Sequence, residues 1–490
     1  MILPPTSLLL NSGGDARMRL DPHTGRNRYG CGSLPDPELL AFGSSTASTI
    51  SPAGYAAAER LRERLQSSDL EPAACYAAEL ERQRDELRRL CALSADTGIV
   101  FAASGTELHL IAGQLFAAAD ASPVVALLAE DAETGSSVPA AVCARHFVDR
   151  TPSGATVLRG SDIEGRLPVS AIGIRLRDDD GRARPLDRLD SEFSAHAELA
   201  IASGQRVLLV LTDVSKSGLV APGLACALAL RDRHPERLGI LVDACQFRLS
   251  PPALDRYLAH GCMVAVTGSK FLGGPSFSGA LLLPPPLCDS LRRQILPPAL
   301  QPYCNRAEWP ADWQSAAQLP NGANFGLLLR LEAAIHELRA FTAIPETALS
   351  ACLARCVQAI QARLRDDPSL CPLDLPALPR HDAWDALPTL FPFTLTHDGH
   401  PLDFARAHRI FQLMLDDLGT ELGPLAAPRC QLGQPIHLGA HGAALRLCLS
   451  APQLARAATS DQAEQALLDA AMRVLDKAAL LVGHPERYGQ

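Results

Sequence analysis

Residues 242–284, VDACQFRLSPPALDRYLAHGCMVAVTGSKFLGGPSFSGALLLP, decide the fold. One apolar run ends in Asp243, and the next ends in the polar triplet Thr267-Gly268-Ser269, which Lys270 follows. If these runs are strands of a parallel sheet, both ends lie at its carboxyl edge, where ligands bind. A lysine at the close of a core strand is costly to bury unless it is paired or neutralised. The pattern leaves two interpretations open, an ion pair between Asp243 and Lys270 or a lysine that forms an imine.

The same rhythm continues on the amino-terminal side of this stretch. The apolar runs TGIVFAAS, VVALLAE and QRVLLVLTDV do not alternate with polar residues, which is typical of strands buried on both faces. Helical stretches such as ELHLIAGQLFAAA and LACALALRDRH lie between the runs, as right-handed parallel crossovers require. The sequence therefore predicts an α/β fold. Its large domain spans residues 55–335 and has a mostly parallel sheet sandwiched by helices.

The two ends of the chain differ from this central part. Residues 1–54 are rich in Gly, Pro, Ser and Asn and are predicted to form an irregular arm. Residues 336–490 mix helical stretches with the strand-like runs TLFPFTLT and ALRLCLSA, which predicts a smaller C-terminal α+β domain. The last helix of that domain is expected to begin after Ser460, because serine is a common helix cap.

Composition and charge exclude several function classes. The net charge of -9 argues against a nucleic-acid or anionic membrane partner, since such surfaces need clustered Lys and Arg. We predict neither a signal peptide nor a membrane span from the apolar runs. The 14 cysteines show no zinc-like spacing, so we expect free thiols, no metal site and a cytoplasmic location. Cys352 and Cys356, four residues apart on a predicted helix, are expected to form a packed face.

A second motif, FAASGTELHLIAG, runs from a predicted strand into a predicted helix, with Ser104, Gly105 and Thr106 at the joint. Backbone N–H groups at a helix start, together with a hydroxyl, can bind a phosphate dianion. Taken alone, Ser104 has a second interpretation as an ordinary helix cap.

The segment GSKFLGGPSFSGALL resembles the lysine segment of class V aminotransferases and their relatives, the cysteine desulfurases and kynureninases. These are pyridoxal 5'-phosphate (PLP) enzymes of fold type I. The blocks VDACQ and TGSKF are also similar to those of a bacterial subfamily of this group, and the resemblance covers residues 95–480. It implies that Lys270 carries PLP as a Schiff base. It also implies that Asp243 pairs with the pyridine nitrogen and keeps the ring protonated as an electron sink.

The resemblance implies further contacts with the cofactor. Gln246 would bond the ring oxygen, and Thr267 and Ser269 would contact the phosphate. Where relatives have an aromatic ring or His that stacks on the cofactor, this chain has Glu133-Thr134-Gly135, and Thr134 is expected over the ring. The full implied set of cofactor-binding residues is Ser104, Gly105, Thr106, Thr134, Ser215, Asp243, Gln246, Thr267, Ser269 and Lys270.

Other residues are candidates for substrate binding. Arg446, in the run ALRLCLSA, matches the arginine that clamps the substrate α-carboxylate in the family. Lys216, in the turn Ser215-Lys216-Ser217, either neutralises an acidic substrate group or is solvated. Cys430 lies where desulfurases carry a persulfide cysteine, but its flanking residues differ and a buried thiol is preferred. Arm residues are candidates for substrate contact or for a turn, namely Asn27, Tyr29 and Ser45.

The resemblance implies an enzyme whose amino-acid substrate displaces Lys270 from the cofactor, after which Lys270 acts as general base or acid. We expect a lyase or desulfurase first and a class V aminotransferase second. A PLP-binding scaffold or regulator without turnover is the alternative from another class. A homodimer is expected because family sites lie at a subunit interface, where Asn321 and Gly322 would reach the partner's phosphate.

Overall fold

The computed structural model describes residues 1–381, 383–439 and 442–489. Its strands are β1 (Leu40–Phe42), β2 (Gly98–Ala102), β3 (Val124–Ala129), β4 (Val169–Ile174), β5 (Arg206–Thr212), β6 (Leu238–Ala244), β7 (Met263–Thr267), β8 (Gly279–Leu283), β9 (Leu370–Pro372), β10 (Leu390–His397), β11 (His400–Pro401), β12 (Cys430–Leu438) and β13 (Gly442–Cys448). Its α-helices are α1 (Thr6–Leu9), α2 (Pro52–Gln66), α3 (Pro72–Leu90), α4 (Gly105–Ala117), α5 (Val138–Val142), α6 (Leu186–Ala202), α7 (Leu224–Arg233), α8 (Pro251–Ala259), α9 (Pro285–Leu291), α10 (Phe325–Thr342), α11 (Glu346–Asp366), α12 (Phe404–Met414), α13 (Gly419–Leu422), α14 (Ala451–Ala457) and α15 (Asp461–Val482).

A seven-stranded sheet forms the centre of the large domain, in the order β2-β8-β7-β6-β5-β3-β4. All neighbours from β7 to β4 pair in parallel, and β8 is antiparallel to both β7 and β2. The predicted α/β class with a mostly parallel sheet is therefore confirmed. Strands β2, β3, β5, β6 and β7 all point the same way, so their carboxyl ends lie along one edge of the sheet.

The smaller sheet combines the C-terminal region with the arm. Its order is β1-β12-β13-β10-β11, and β9 pairs with β10. Strand β1 pairs in parallel with β12, where Leu40 lies opposite Cys430. The arm was predicted to be irregular, and the structure corrects this in part. The short run Leu40–Phe42 forms a strand at the edge of this sheet.

Helix α10 passes through the predicted domain boundary at residues 335/336 and packs against α2, α3 and α14. The terminal helix α15 begins as predicted, with the Ser460 hydroxyl accepting the N–H of Ala463 at 3.2 Å. Cys352 and Cys356 lie on one buried face of α11, as predicted. Over the described residues, the helices include none that is long and apolar enough to cross a membrane.

A buried ion-pair cluster ties the segment between β9 and β10 to the carboxyl edge of the large sheet. The Arg380 guanidinium donates to Asp213, which directly follows β5, and lies 3.6 Å from Asp385. The Tyr257 hydroxyl donates to the other oxygen of Asp213 at 2.6 Å. All four side chains are buried. The cluster therefore fixes the loop that continues from Asp213 to Ser215.

We predict that Asp213→Asn lowers the free energy of unfolding by about 3 kcal/mol, because it leaves the buried Arg380 charge without its main counter-ion. Urea denaturation followed by circular dichroism measures the change. The exposed Asp180→Asn is the matched control and should leave the free energy unchanged. Equal stability of the two variants would show that the cluster does not hold the domains together.

Candidate active site

A cavity of about 470 Å³ opens at the shared carboxyl edge of the large sheet. The loops after β2, β3, β5, β6 and β7 form its base, and the arm and the β12–β13 hairpin form its rim. It brings together most of the residues singled out from the sequence, namely Tyr29, Ser45, Ser104, Gly105, Thr106, Glu133, Thr134, Gly135, Ser215, Lys216, Asp243, Gln246, Thr267, Ser269, Lys270 and Arg446.

Lys270 follows β7 after the turn Gly268-Ser269 and lies half-buried in the cavity. Its carbonyl oxygen accepts the hydroxyl of Ser48 from the arm at 2.7 Å. Burial is the main cause that lowers the pKa of Lys270, and the positive charges of Arg446 and Arg248 act in the same direction. The environment therefore makes the ammonium form of Lys270 less favourable than it is in water.

Asp243 makes its charged contact with His109 and, over the described residues, forms no ion pair with Lys270. The His109 ring lies 3.4 Å from Asp243 through Nε2, and its Nδ1 donates to the Gly105 carbonyl at 2.8 Å. Burial opposes both charged forms. Even so, the charge of Asp243 raises the pKa of His109, and the charge of His109 holds the pKa of Asp243 well below its usual range. The ion pair between Asp243 and Lys270 that the sequence left open is thus not formed.

The strand–helix joint after β2 has the geometry of an anion site. Ser104 caps α4 by accepting the N–H of Thr106 at 3.2 Å. Gly105 is required there, because a Cβ atom would lie 2.7 Å from the sulfur of Cys245. Arg17 of the arm donates to Thr106 Oγ1 at 3.2 Å and to Ser104 Oγ at 3.4 Å. A helix N-terminus and a guanidinium therefore meet at one point, as an anion site requires. Two acids also lie there, since Asp15 pairs with Arg17 and Glu107 accepts the Ser104 hydroxyl.

His109 and Arg17 are two cavity residues that contact the candidate groups and were not singled out from the sequence. His109 stands four positions after Gly105 in GTELH, so helical spacing could have placed it near the strand ends. Arg17 carries no local signal, since it lies 87 residues before Ser104 in the chain.

Three side chains predicted to contact the cofactor donate hydrogen bonds to backbone carbonyls of the protein. The Thr267 hydroxyl donates to the Cys245 carbonyl at 2.6 Å, and the Gln246 amide donates to the Ser45 carbonyl at 3.0 Å. The Thr134 hydroxyl donates to the Glu130 carbonyl at 3.4 Å. In this arrangement the two threonine hydroxyls can accept from a ligand but cannot donate to it.

A buried ion pair lies in the cavity wall at Glu133. Glu133, of which 3% is exposed, accepts from Arg177 Nε at 2.8 Å. It also accepts the hydroxyls of Ser215 at 2.6 Å and Ser217 at 2.7 Å. This cluster joins the loop after β3 to the loop after β5 and commits the Ser215 hydroxyl to Glu133.

Arg446 is 2% exposed and is held from three sides. Its Nη1 donates to the Lys216 carbonyl at 3.1 Å, and its Nη2 donates to Thr46 Oγ1 at 3.0 Å and to the Gln434 carbonyl. Its Nε lacks a hydrogen-bond partner among the described residues. Arg446 therefore retains a donor that a carboxylate could use.

Four residues named from the sequence lie outside the cavity lining. Asn27 stabilises a turn of the arm by accepting the N–H of Tyr29 at 2.9 Å, so its placement fits the turn role. Cys430 is fully buried in β12, and burial raises the pKa of its thiol to about 11. Such a thiol is poorly suited to carry a persulfide. Asn321 and Gly322 are outside this chain's cavity as well, and their contact with a partner subunit stays a prediction.

Comparison with known proteins shows similarity in structure. No protein-family model and no curated protein sequence matches the chain. The cysteine desulfurase CsdA of Escherichia coli matches with a TM-score of 0.52 at 16% identity, over 89% of this chain and 95% of its own. The cystine C-S lyase C-DES, in complex with its reaction product cysteine persulfide, matches with a TM-score of 0.53 at 18% identity, over 89% and 98% of the two chains. A NifS-like protein matches with a TM-score of 0.55 at 11% identity, over 89% and 99%. The chain therefore has the fold of these proteins, as its resemblance to PLP enzymes of fold type I predicts.

Proposed function

We propose that the chain is an enzyme that holds PLP on Lys270 and acts on an amino acid. The observation that carries the proposal is the joint placement of Lys270 and Asp243 in one cavity. Lys270 is a half-buried amine with a lowered pKa, and Asp243 is kept ionised by His109. An amine available for an imine and a carboxylate able to pair with a protonated ring nitrogen are what PLP requires.

The remaining polar groups of the cavity also fit PLP. The start of α4 and Arg17 suit a phosphate dianion. The hydroxyls of Thr212 and Ser45 are buried in the lining and have no hydrogen-bond partner among the described residues. Buried polar groups are rarely left unpaired, so a polar ligand would satisfy them. When bound, PLP supplies an electron sink for a carbanion formed on the substrate.

The chain's own residues then have distinct tasks. Arg446 binds the α-carboxylate of the substrate and thereby orients its Cα toward Lys270. Lys270, once free of the cofactor, takes a proton from that carbon or returns one, for which its lowered pKa suits it. His109 is a positioning residue that keeps Asp243 in the carboxylate form.

Among possible reactions we favour a lyase, with an aminotransferase second. The matched desulfurases and the C-S lyase support this order, and a further structure of C-DES carries Gly covalently linked to the PLP cofactor. The proposal does not include transfer of sulfur to Cys430, because that thiol is fully buried. A lyase would release product in each turnover, whereas an aminotransferase would stop until a second keto acid is added.

We expect the purified protein to show a visible imine absorption band that Lys270→Ala abolishes, because Lys270 supplies the imine nitrogen. Lys216→Ala is the matched control, since it removes the other lysine of the cavity and should keep the band. No band after PLP is added to the wild type would refute the cofactor assignment. A band that no amino acid perturbs would instead identify a PLP-binding scaffold.

We further expect Arg17→Gln to weaken PLP binding by about tenfold to a hundredfold, as loss of a charge-assisted hydrogen bond predicts. Pyridoxal, which lacks the phosphate, should bind both proteins equally. Spectrophotometric titration measures both affinities, and the exposed Arg19→Gln of the same arm is the control. Equal weakening of PLP and pyridoxal would show that Arg17 supports the fold and not the phosphate.

A further inference from the structure

Lys216 is a second cavity lysine that the cofactor does not need. It lies in the loop after β5, and its backbone N–H donates to the Glu133 carbonyl at 2.9 Å. Its ammonium donates to the carbonyl of Asp131 at 2.8 Å. Both bonds attach Lys216 to the loop after β3, so the side chain is held along the cavity wall. Over the residues that the structure describes, no carboxylate forms an ion pair with it.

Lys216 stands among other cations. Arg446 donates to its carbonyl, and Lys270 lines the same cavity. Burial, followed by the charges of Arg446 and Lys270, lowers the pKa of Lys216 to about 8. Like charges gathered in a partly desolvated cavity repel one another, and a bound anion relieves that repulsion.

The acids near Lys216 cannot serve as that anion. Glu133 is already bound by Arg177 and by the hydroxyls of Ser215 and Ser217. Asp243 is paired with His109. Asp131 is exposed, and the contact with Lys216 is made by its backbone carbonyl and not by its carboxylate. Over the described residues, Lys216, Lys270 and Arg446 therefore form no ion pair with the acids that line this cavity.

Lys216 is the cavity cation to which neither the cofactor nor the substrate α-carboxylate has been assigned. Under the proposed function, on which this inference rests, Lys270 and Arg17 hold the cofactor and Arg446 holds the α-carboxylate. We propose that the substrate is an amino acid whose side chain carries a second anionic group, such as a carboxylate or a sulfinate, and that Lys216 binds this group. The exposed Arg28 at the rim of the cavity adds to its positive character.

The test compares pairs of amino acids that differ only in side-chain charge. The holoenzyme is titrated with L-aspartate against L-asparagine and with L-cysteine sulfinate against L-cysteine, and the change of the imine band reports binding. We expect the anionic member of each pair to bind more tightly. In Lys216→Met this preference should shrink by about tenfold to a hundredfold, as loss of a partly buried ion pair predicts.

Two matched variants separate charge from structure. Lys216→Arg should keep the preference because it keeps the cation, and the exposed Arg293→Gln, outside the cavity, should leave it unchanged. If Lys216→Met weakens anionic and neutral partners equally, or if neutral partners bind as tightly to the wild type, the inference is wrong while the proposed function stands. Failure of every amino acid to perturb the band would instead overturn the proposed function.

The preference should also depend on pH in a defined direction. Because the pKa of Lys216 is lowered to about 8, the side chain is cationic below that pH and loses its charge as pH rises through it. The ratio of aspartate to asparagine affinity should therefore fall above about pH 8, although a bound anion shifts the step upward. The charged groups that face Lys216 are Arg446, Lys270, Glu133 and Asp131. They are present with either ligand bound, so the comparison of aspartate with asparagine is made against the same surrounding charges. A ratio with the same pH profile in Lys216→Met would contradict the role of Lys216.

Discussion

The central constraint on the cavity is the free-energy cost of burying the Lys270 ammonium without a counter-ion. Lys270 lies half-buried there, and among the described residues no carboxylate forms an ion pair with it. The nearby acids are committed elsewhere, with Asp243 paired to His109 and Glu133 to Arg177. Desolvation of an unpaired ammonium favours the neutral amine. Because the nearby acids are paired with other groups, Lys270 has no ion-pair partner among the described residues, and burial lowers its pKa.

The arm completes this arrangement from outside the large domain. Ser48 donates to the carbonyl of Lys270, and Thr46 accepts from the Arg446 guanidinium. Arg17 reaches the start of α4, where its charge is partly balanced by Asp15 at 2.6 Å. The arm is held in place by β1, which adds a strand to the smaller sheet. The start of α4 and the Arg446 guanidinium are thus connected through one segment of chain.

The central strands could be predicted from the sequence because burial on both faces leaves uninterrupted apolar runs, as in β5 and β7. Strand β4 was missed because it lies at the edge of the sheet and is only partly buried. Strand β1 was missed because three residues carry little pattern and the partner strand β12 lies far along the chain. The domain boundary at residues 335/336 could not be placed precisely, since one continuous helix crosses it.

Local sequence motifs were sufficient to predict those residues of the candidate site that lie close together in the chain or at the ends of recognisable strands. Ser104, Gly105 and Thr106 form one turn, Asp243 lies near the end of β6, and Lys270 follows the adjacent strand β7 after a short turn. The partners that tune these groups come from distant segments, as Arg17 does for the turn and Arg177 does for Glu133. Hydrogen-bond partners were also beyond prediction, so the use of the Thr267 hydroxyl by a backbone carbonyl emerged only from the fold.

Reduction of the purified protein with borohydride, followed by proteolysis and mass spectrometry, tests the central claim most directly. The chain has three lysines, Lys216, Lys270 and Lys477, so the modified peptide identifies the attachment site without ambiguity. The account predicts a pyridoxyl phosphate group on the peptide that contains Lys270 and on neither of the other two. Attachment at Lys216, or no attachment after incubation with PLP, would contradict it.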